Sequence, residues 1–149
     1  MIVFFFIALV LSGVTAMPAE TGLAWLMQFK THLPGFMADW LKTCYEALKD
    51  TNQKYPFLAY GYDWLAFAHF MIALSFIGVW RNPVKNIWII EWQMICCVCI
   101  IPLAWIAGPI RQIPVFHLWI DCSFGILGII PLWICRKWIL QLKALSNEN

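Results

Sequence analysis

Three apolar segments, each long enough to cross a bilayer, constrain this 149-residue chain more than any other feature. They cover residues 57 to 80, 86 to 107 and 115 to 135. Because hydrocarbon offers no water to unpaired backbone amides, such segments fold as helices. With 62% hydrophobic and 12% charged residues, the chain also lacks the polar surface of a soluble domain of this size. The sequence therefore predicts an all-α integral membrane protein, a helical bundle with a three-helix core over residues 57 to 136.

The first 17 residues leave two interpretations open. Met1 to Ala16 is apolar throughout, which is short for a span and suitable for the apolar region of a signal peptide. Val14-Thr15-Ala16 supplies the small residues that precede a cleavage position, but no Lys or Arg stands before the apolar run. A retained N-terminal helix gives four transmembrane helices, and a cleaved signal peptide gives three.

Residues 18 to 56 carry too many charges to span a membrane. Pro34-Gly35 divides them into a short apolar-faced piece and a longer one. In the longer piece, apolar and charged side chains separate at helical spacing, which predicts an amphipathic helix over residues 36 to 50. Its apolar face is formed by Phe36, Met37, Trp40, Leu41, Cys44 and Leu48. We expect this segment to lie on the bilayer surface or against the bundle, or to bind a partner.

The charges beside the spans predict an orientation. Arg81 to Lys85 is a tight basic turn, and Arg136-Lys137 follows the third span. The positive-inside rule makes both cytoplasmic, together with the tail at 137 to 149. Residues 18 to 56 then face outward, and the expected location is the cytoplasmic (inner) membrane. Most of the ten Trp residues lie near segment ends, as interfacial anchors do.

Five ionisable side chains interrupt the apolar segments and form the candidate site. They are Asp63, His69, Glu91, His117 and Asp121. Depths along the membrane normal can be counted from the predicted span centres. On the outer side of the midplane, Asp63 and His117 lie roughly 10 to 12 Å away and Asp121 roughly 6 Å away. His69 lies near the midplane, and Glu91 lies roughly 8 Å from it on the cytoplasmic side. Such residues within spans mark a functional hypothesis because charge in hydrocarbon is costly.

This ladder of polar groups has two interpretations. Asp, Glu and His exchange protons and present ligands to cations, so the ladder fits ion or proton movement. Alternatively, the same groups hold helices together. His117 then pairs with Asp121, and Glu91 stays neutral or pairs with a base such as Arg81 or Lys85. Gly125 and Gly128 continue the His117–Asp121 face, and Ala66 and Ala73 flank His69, so small residues allow close helix packing on both faces.

Metal and cofactor chemistry receives less support. Asp63, His117 and Asp121 share the predicted outer leaflet and are metal-ligand types, but their spacing is not diagnostic. Bis-His haem requires two imidazoles at one depth, whereas His69 and His117 differ by roughly 10 Å. The sequence therefore predicts no cofactor and no enzymatic chemistry of its own.

Four cysteines near the middle of the spans are thiol candidates: Cys96, Cys97, Cys99 and Cys122. Soft thiolates bind Cu(I), which keeps a thiol- or metal-dependent redox protein as a further alternative. No Cys-x-x-Cys motif is present, and free cysteines pack as small apolar residues in protein interiors.

Three sequence runs resemble small uncharacterised bacterial integral membrane proteins. These runs are Tyr60-Gly61-Tyr62-Asp63-Trp64-Leu65-Ala66-Phe67-Ala68-His69, Arg81-Asn82-Pro83-Val84-Lys85-Asn86-Ile87-Trp88 and Ile106-Ala107-Gly108-Pro109-Ile110-Arg111. The resemblance covers about residues 57 to 136. It implies a membrane location and implies nothing about catalysis.

The expected partners follow from the apolar composition and the small net charge of +2. The lipid bilayer is the first, and a second copy of the chain or another membrane protein is the next, since three or four helices enclose little volume of their own. No basic run interleaved with aromatic residues is present, so nucleic acid is excluded.

The orientation generates the first prediction. In a cysteine-free background, single cysteines at positions 83 and 140 should react with a membrane-impermeant maleimide only after the cytoplasmic face is opened, because the basic turns hold these positions inside. A cysteine at position 50 should react in intact cells. External labelling at 83 or 140, with protection at 50, would reverse the orientation.

Overall fold

The computed structural model describes residues 1–147, and within them it is helical without a β-strand. Two short 3-10 turns, Lys30–His32 and Pro56–Ala59, punctuate six α-helices. The helices are α1 (Ile2–Ala16), α2 (Ala19–Met27), α3 (Gly35–Lys54), α4 (Tyr60–Arg81), α5 (Ile87–Ile110) and α6 (Val115–Asn147).

Three helical stretches are long and apolar enough to cross a membrane: Pro56–Arg81, Ile87–Ile110 and Val115–Ser146. The α1–α2 pair adds a fourth if it is one broken span, since its two helices meet at an 88° bend. The predicted all-α membrane fold, with three to four spans and shorter N-terminal helices, is confirmed.

The last helix differs most from the prediction. α6 runs for 33 residues, whereas the sequence places the end of the third span at residue 135. Pro131 lies inside the helix without ending it, and residues 136 to 147 contain neither Gly nor Pro to stop it. At about 50 Å, α6 is longer than the hydrocarbon layer is thick. Much of the predicted tail at 137 to 149 is therefore helical, through Asn147.

The chain packs as two units, and one combines Met1–Phe5 with the chain from Ser75 onward. Its main feature is an antiparallel hairpin of α5 and α6. The largest fully buried side chains of the described chain belong to this unit; they are Phe76, Val79, Ile90 and Leu132. Phe5 stacks on Phe76 with ring centroids 5.6 Å apart.

Glycines let the two helices of the hairpin touch through their backbones. A Cβ atom on Gly125 would collide with the carbonyl oxygen of Cys97, and one on Gly128 would lie 3.2 Å from the Cys97 Sγ atom. Near the turn, a Cβ atom on Gly108 would collide with the Leu118 side chain. The predicted close approach at Gly125 and Gly128 is confirmed.

Both turns that flank α5 are held by local hydrogen bonds. The Asn86 Nδ2 amide donates to the carbonyl oxygens of Gly78 and Asn82, each at 2.9 Å, and so ties the start of α5 to the end of α4. At the other end, Gln112 takes a left-handed φ of 55°, and the Ile113 amide donates back to the Gly108 carbonyl at 2.9 Å. This reversal ends α5 and starts the return in α6.

The second unit comprises Phe6–Leu74. Gly13 of α1 packs against α4, where an added Cβ atom would lie 2.9 Å from the Ala66 carbonyl oxygen and 2.6 Å from the Phe70 ring. Ala66 and Ala73 are both fully buried, as expected for a small-residue packing face. Between α2 and α3, the Asn52 amide donates to the Glu20 carboxylate at 2.8 Å.

α3 contains the predicted amphipathic helix and extends it to Lys54. It begins directly after Pro34, which fits the preference for proline at helix starts. Half-buried positions recur at helical spacing, at Met37, Trp40, Leu41, Cys44 and Leu48, whereas Phe36 is exposed. On the outer side, Lys42–Glu46 and Asp50–Lys54 form i, i+4 ion pairs. The separation of the two faces is confirmed, except at Phe36.

The two faces of α3 generate the second prediction. Leu41→Asp should loosen the docking of α3, because it puts a charge on the half-buried face, and should increase limited proteolysis within residues 35 to 54. Lys42→Asp changes an exposed neighbour and should have a smaller effect. Equal cleavage of the two variants and the parent would contradict the docked face.

The third prediction concerns the backbone contact of the hairpin. Gly125→Ala should destabilise the protein by about 1–3 kcal/mol, because the new methyl group forces α6 away from the Cys97 carbonyl. Gly61→Ala in α4 is the matched control, since nothing lies within 4 Å of its Cβ position. Thermal unfolding in detergent measures both. A Gly125→Ala variant as stable as Gly61→Ala would refute the contact.

Candidate functional site at one end of the hairpin

The Glu91 side chain forms an ion pair that joins the two helices of the hairpin. The Arg136 Nε–H group of α6 donates a hydrogen bond to Glu91 Oε1 of α5 at 2.8 Å. The two side chains remain 43% and 37% exposed, so neither is enclosed. Hydrogen bonds between two charged groups are the stronger class, and this one joins α6 to α5 at one end of the hairpin.

Arg136 takes the place of the predicted partners, Arg81 and Lys85. Both of those are nearer to Glu91 in sequence and exposed, whereas Arg136 is 45 residues away. The antiparallel hairpin explains the choice, because it returns the end of the third span to the start of α5. Glu91 lies about 11 Å from the midpoint of α5 along the helix axis.

At the opposite end of the hairpin, His117 and Asp121 lie on one face of α6. His117 Nε2 and Asp121 Oδ1 are 3.8 Å apart, and both side chains are about 40% exposed. The Trp105 and Trp119 rings meet edge to face at the same end, with centroids 5.5 Å apart. The expected His117–Asp121 proximity is present at ion-pair distance.

Asp63 and His69 belong to the second unit. His69 is half-exposed, and its Nδ1–H group donates to the Leu65 carbonyl of its own helix at 2.8 Å. Asp63 lies in the first turn of α4, beside an open surface depression that is also lined by Tyr60, Trp64 and Phe67. None of the five ladder residues falls into the fully buried class.

The four thiol candidates differ in their surroundings. Cys97 packs against Gly128 and Gly125, Cys122 is buried, and Cys99 is exposed. The six cysteines of the chain are all free thiols. Outside the spans, burial raises the pKa of the Cys44 thiol, which favours its unreactive protonated form. This arrangement gives Cys97 and Cys122 a packing role at the interface.

The described residues, 1–147, contain no group of three or more His, Cys, Asp or Glu side chains placed to hold a metal ion. The candidate set of Asp63, His117 and Asp121 therefore gains no support as a metal centre. What the site offers chemically is one charged pair, Glu91 bonded to Arg136, and an imidazole, His117, with Nε2 at 3.8 Å from the Asp121 carboxylate.

Two polar residues of the hairpin, Arg136 and Gln93, were not among the candidate site residues predicted from the sequence. Arg136 entered the prediction only as an orientation signal, although a base next to a span is a natural partner for a carboxylate in a neighbouring span. Gln93 lies two residues after Glu91, and its buried Nε2 amide has no hydrogen-bond partner among the described residues. An uncharged amide gives no ionisable signal, but a Gln inside an apolar segment is itself a marker of helix–helix contact.

Comparisons with protein-family models, with curated proteins and with solved structures gave no match.

Proposed function

We propose that this protein is a structural, partner-binding subunit of a membrane assembly, in which the α5–α6 hairpin is the rigid element. The observation that carries the proposal is the Glu91–Arg136 ion pair, because it engages the one carboxylate of α5 in holding two helices together. The same hydrogen bond ties Arg136 of α6 to α5, as expected for polar groups that join two helices.

The spacing of the ion pairs also supports a structural role over a proton or cation pathway. About 22 Å of helix separates Asp121 from Arg136. Between these two positions α6 has no Asp, Glu or His, and α5 has none after Glu91. The intervening contact consists of Gly125 and Gly128 packed on Cys97, and Ser123 donates its hydroxyl proton to the Ile120 carbonyl of its own helix. A proton relay needs titratable groups or water across this distance.

The small buried fraction of α5 and α6 supports a partner for the hairpin. Only 17% of the apolar stretch of α5 and 28% of that of α6 is buried within the chain. Lipid covers apolar surface equally well, but the half-exposed Glu91–Arg136 pair is polar. We therefore assign this end of the hairpin as the surface that meets a partner helix, from a second copy or another membrane protein.

The proposed setting is the cytoplasmic membrane, with the α4–α5 turn and Arg136-Lys137 on the cytoplasmic side and residues 18 to 56 outside. The Glu91–Arg136 contact supports this orientation, because it puts the basic turn before α5 and the basic pair in α6 at the same end of the hairpin.

Variants that neutralise or exchange the charges of Glu91 and Arg136 test the proposal and give the fourth prediction. Glu91→Gln and Arg136→Gln should each lower thermal stability or weaken assembly, by about 1 kcal/mol, because each leaves its partner unpaired. The double variant, Glu91→Gln with Arg136→Gln, should lose less stability than the two single variants lose together. The exchange of the two charges, Glu91→Arg with Arg136→Glu, should recover part of the lost stability. Lys85→Gln, a charge loss at the same end, is the control and should have little effect.

Proton flux into liposomes, read with an internal pH dye, separates the two functional classes. The parent and all variants should show the flux of empty liposomes. A parent that carries pH-dependent flux, abolished in a Glu91→Gln variant of unchanged stability, would replace the structural role with a conducting one.

A further inference from the structure

Large apolar side chains are exposed on α2 and just after it, outside the three apolar spans. Trp25, Leu26 and Phe29 are 58%, 43% and 45% exposed, and the Trp25 and Phe29 rings meet edge to face with centroids 4.9 Å apart. Leu33 and Phe36, further along the chain, are exposed as well. Exposed apolar surface of this kind marks contact with a membrane or with another protein. We call Trp25, Leu26 and Phe29 the α2 patch.

α3 packs on another side of α2 and has the opposite character. The two helices are in contact, and the Asn52 amide near the end of α3 donates to the Glu20 carboxylate at the start of α2 at 2.8 Å. The exposed side of α3 carries the two i, i+4 ion pairs described above. The pair of helices is therefore apolar on its α2 side and charged on its α3 side. At the surface of a bilayer, one orientation suits both sides, with α2 toward lipid and α3 toward water.

The bend after α1 turns α2 away from the direction of the spans. α1 runs antiparallel beside α4, because Gly13 packs on Ala66 and Phe5 stacks on Phe76. α4 is one of the helices that are long and apolar enough to cross a membrane, and α2 leaves α1 at 88°. With α1 and α4 along the membrane normal, α2 therefore lies close to the membrane plane.

The level at which α1 ends matches the edge of the hydrocarbon layer. Ala66 lies about 7 Å from the midpoint of α4 along the helix axis. From its contact with Ala66 at Gly13, α1 continues to Ala16, which adds about 5 Å. α1 therefore ends about 12 Å from the level of that midpoint, and α2 begins after two more residues. The hydrocarbon layer extends about 15 Å from its midplane, so α2 starts at the depth where interfacial helices insert their apolar face.

We propose that the α2 patch inserts into the edge of the hydrocarbon layer beside α1 and α4, and that α2 and α3 together form an in-plane anchor. The acyl chains of the bilayer that α4 spans are the occupant of the patch. The charge of this segment agrees, because residues 21 to 38 contain no Asp or Glu, and their ionisable side chains are those of Lys30 and His32. Both are exposed, and a lysine extends its amine to the headgroup phosphates while apolar neighbours stay lower.

Two other arrangements account for part of this geometry. In the first, α2 continues α1 across the membrane as a broken span, but a helix at 88° to α1 adds almost no rise along the normal. In the second, a partner protein covers the α2 patch. A partner does not require the patch to lie at the edge of the hydrocarbon layer, nor the neighbouring helix to be charged on its exposed side.

The fifth prediction is tested by photo-crosslinking of the full chain in liposomes of phosphatidylethanolamine and phosphatidylglycerol. The photoreactive residue p-benzoylphenylalanine replaces Trp25 in one variant and Phe29 in another. Because both positions are placed in lipid, irradiation should give protein with one added lipid mass, measured by intact-protein mass spectrometry. Fragmentation should locate the new bond on acyl carbons near the ester group, as the level of α2 requires.

Two matched positions calibrate the crosslinking. Lys42 lies on the exposed, charged side of α3, and the same replacement there should give several-fold less lipid adduct. Phe67 is 46% exposed and lies about 5 Å from the midpoint of α4, so it should give lipid adducts nearer the ends of the acyl chains. The replacement of Phe29 changes only the size of an exposed ring, which keeps the test decisive if the Trp25 variant fails to fold.

Three results would overturn the proposal. Lipid adducts as scarce at positions 25 and 29 as at position 42 would mean that the α2 patch faces water. A covalent dimer at positions 25 and 29, in place of lipid adducts, would assign the patch to a second copy of the chain. Adducts at the ends of the acyl chains, as at position 67, would mean that α2 continues into the membrane interior.

Discussion

The backbone contact between α5 and α6 is the interaction on which the hairpin depends. Inside a bilayer, apolar side chains gain little by leaving lipid for protein, so helices associate through close van der Waals packing. Gly125 and Gly128 provide this packing, because the absence of a Cβ atom lets the α6 backbone reach the carbonyl group and sulfur of Cys97. Gly13 does the same for α1 against Ala66 in the second unit.

The contact fixes where the charged groups meet. Once α6 returns along α5, Arg136 lies beside Glu91 at one end, and His117 and Asp121 lie at the other. The polar groups of the hairpin are thus distributed at its two ends, with glycine and cysteine packing between them. Local polar groups also define the turns, through Asn86 before α5 and the left-handed Gln112 after it.

The second unit separates polar and apolar surface in a different way. α3 keeps its ion pairs on the exposed side and its half-buried residues on the other, as a helix at an interface requires. In α4 the fully buried Ala66 and Ala73 serve packing, whereas the Asp63 face keeps its carboxylate and aromatic rings uncovered. One helix therefore has a buried packing face and a separate exposed face.

The sequence by itself determined the helical class, the approximate spans, the amphipathic α3 and the small-residue faces, because each follows from composition or from a period of 3.6 residues along the chain. It also named the five ionisable residues, since charge inside an apolar run is visible without a structure. Only the tertiary structure decided that Glu91 pairs with Arg136 in place of Arg81 or Lys85. The reason is physical: a partner 45 residues away depends on how two helices pack, and local periodicity does not encode that packing.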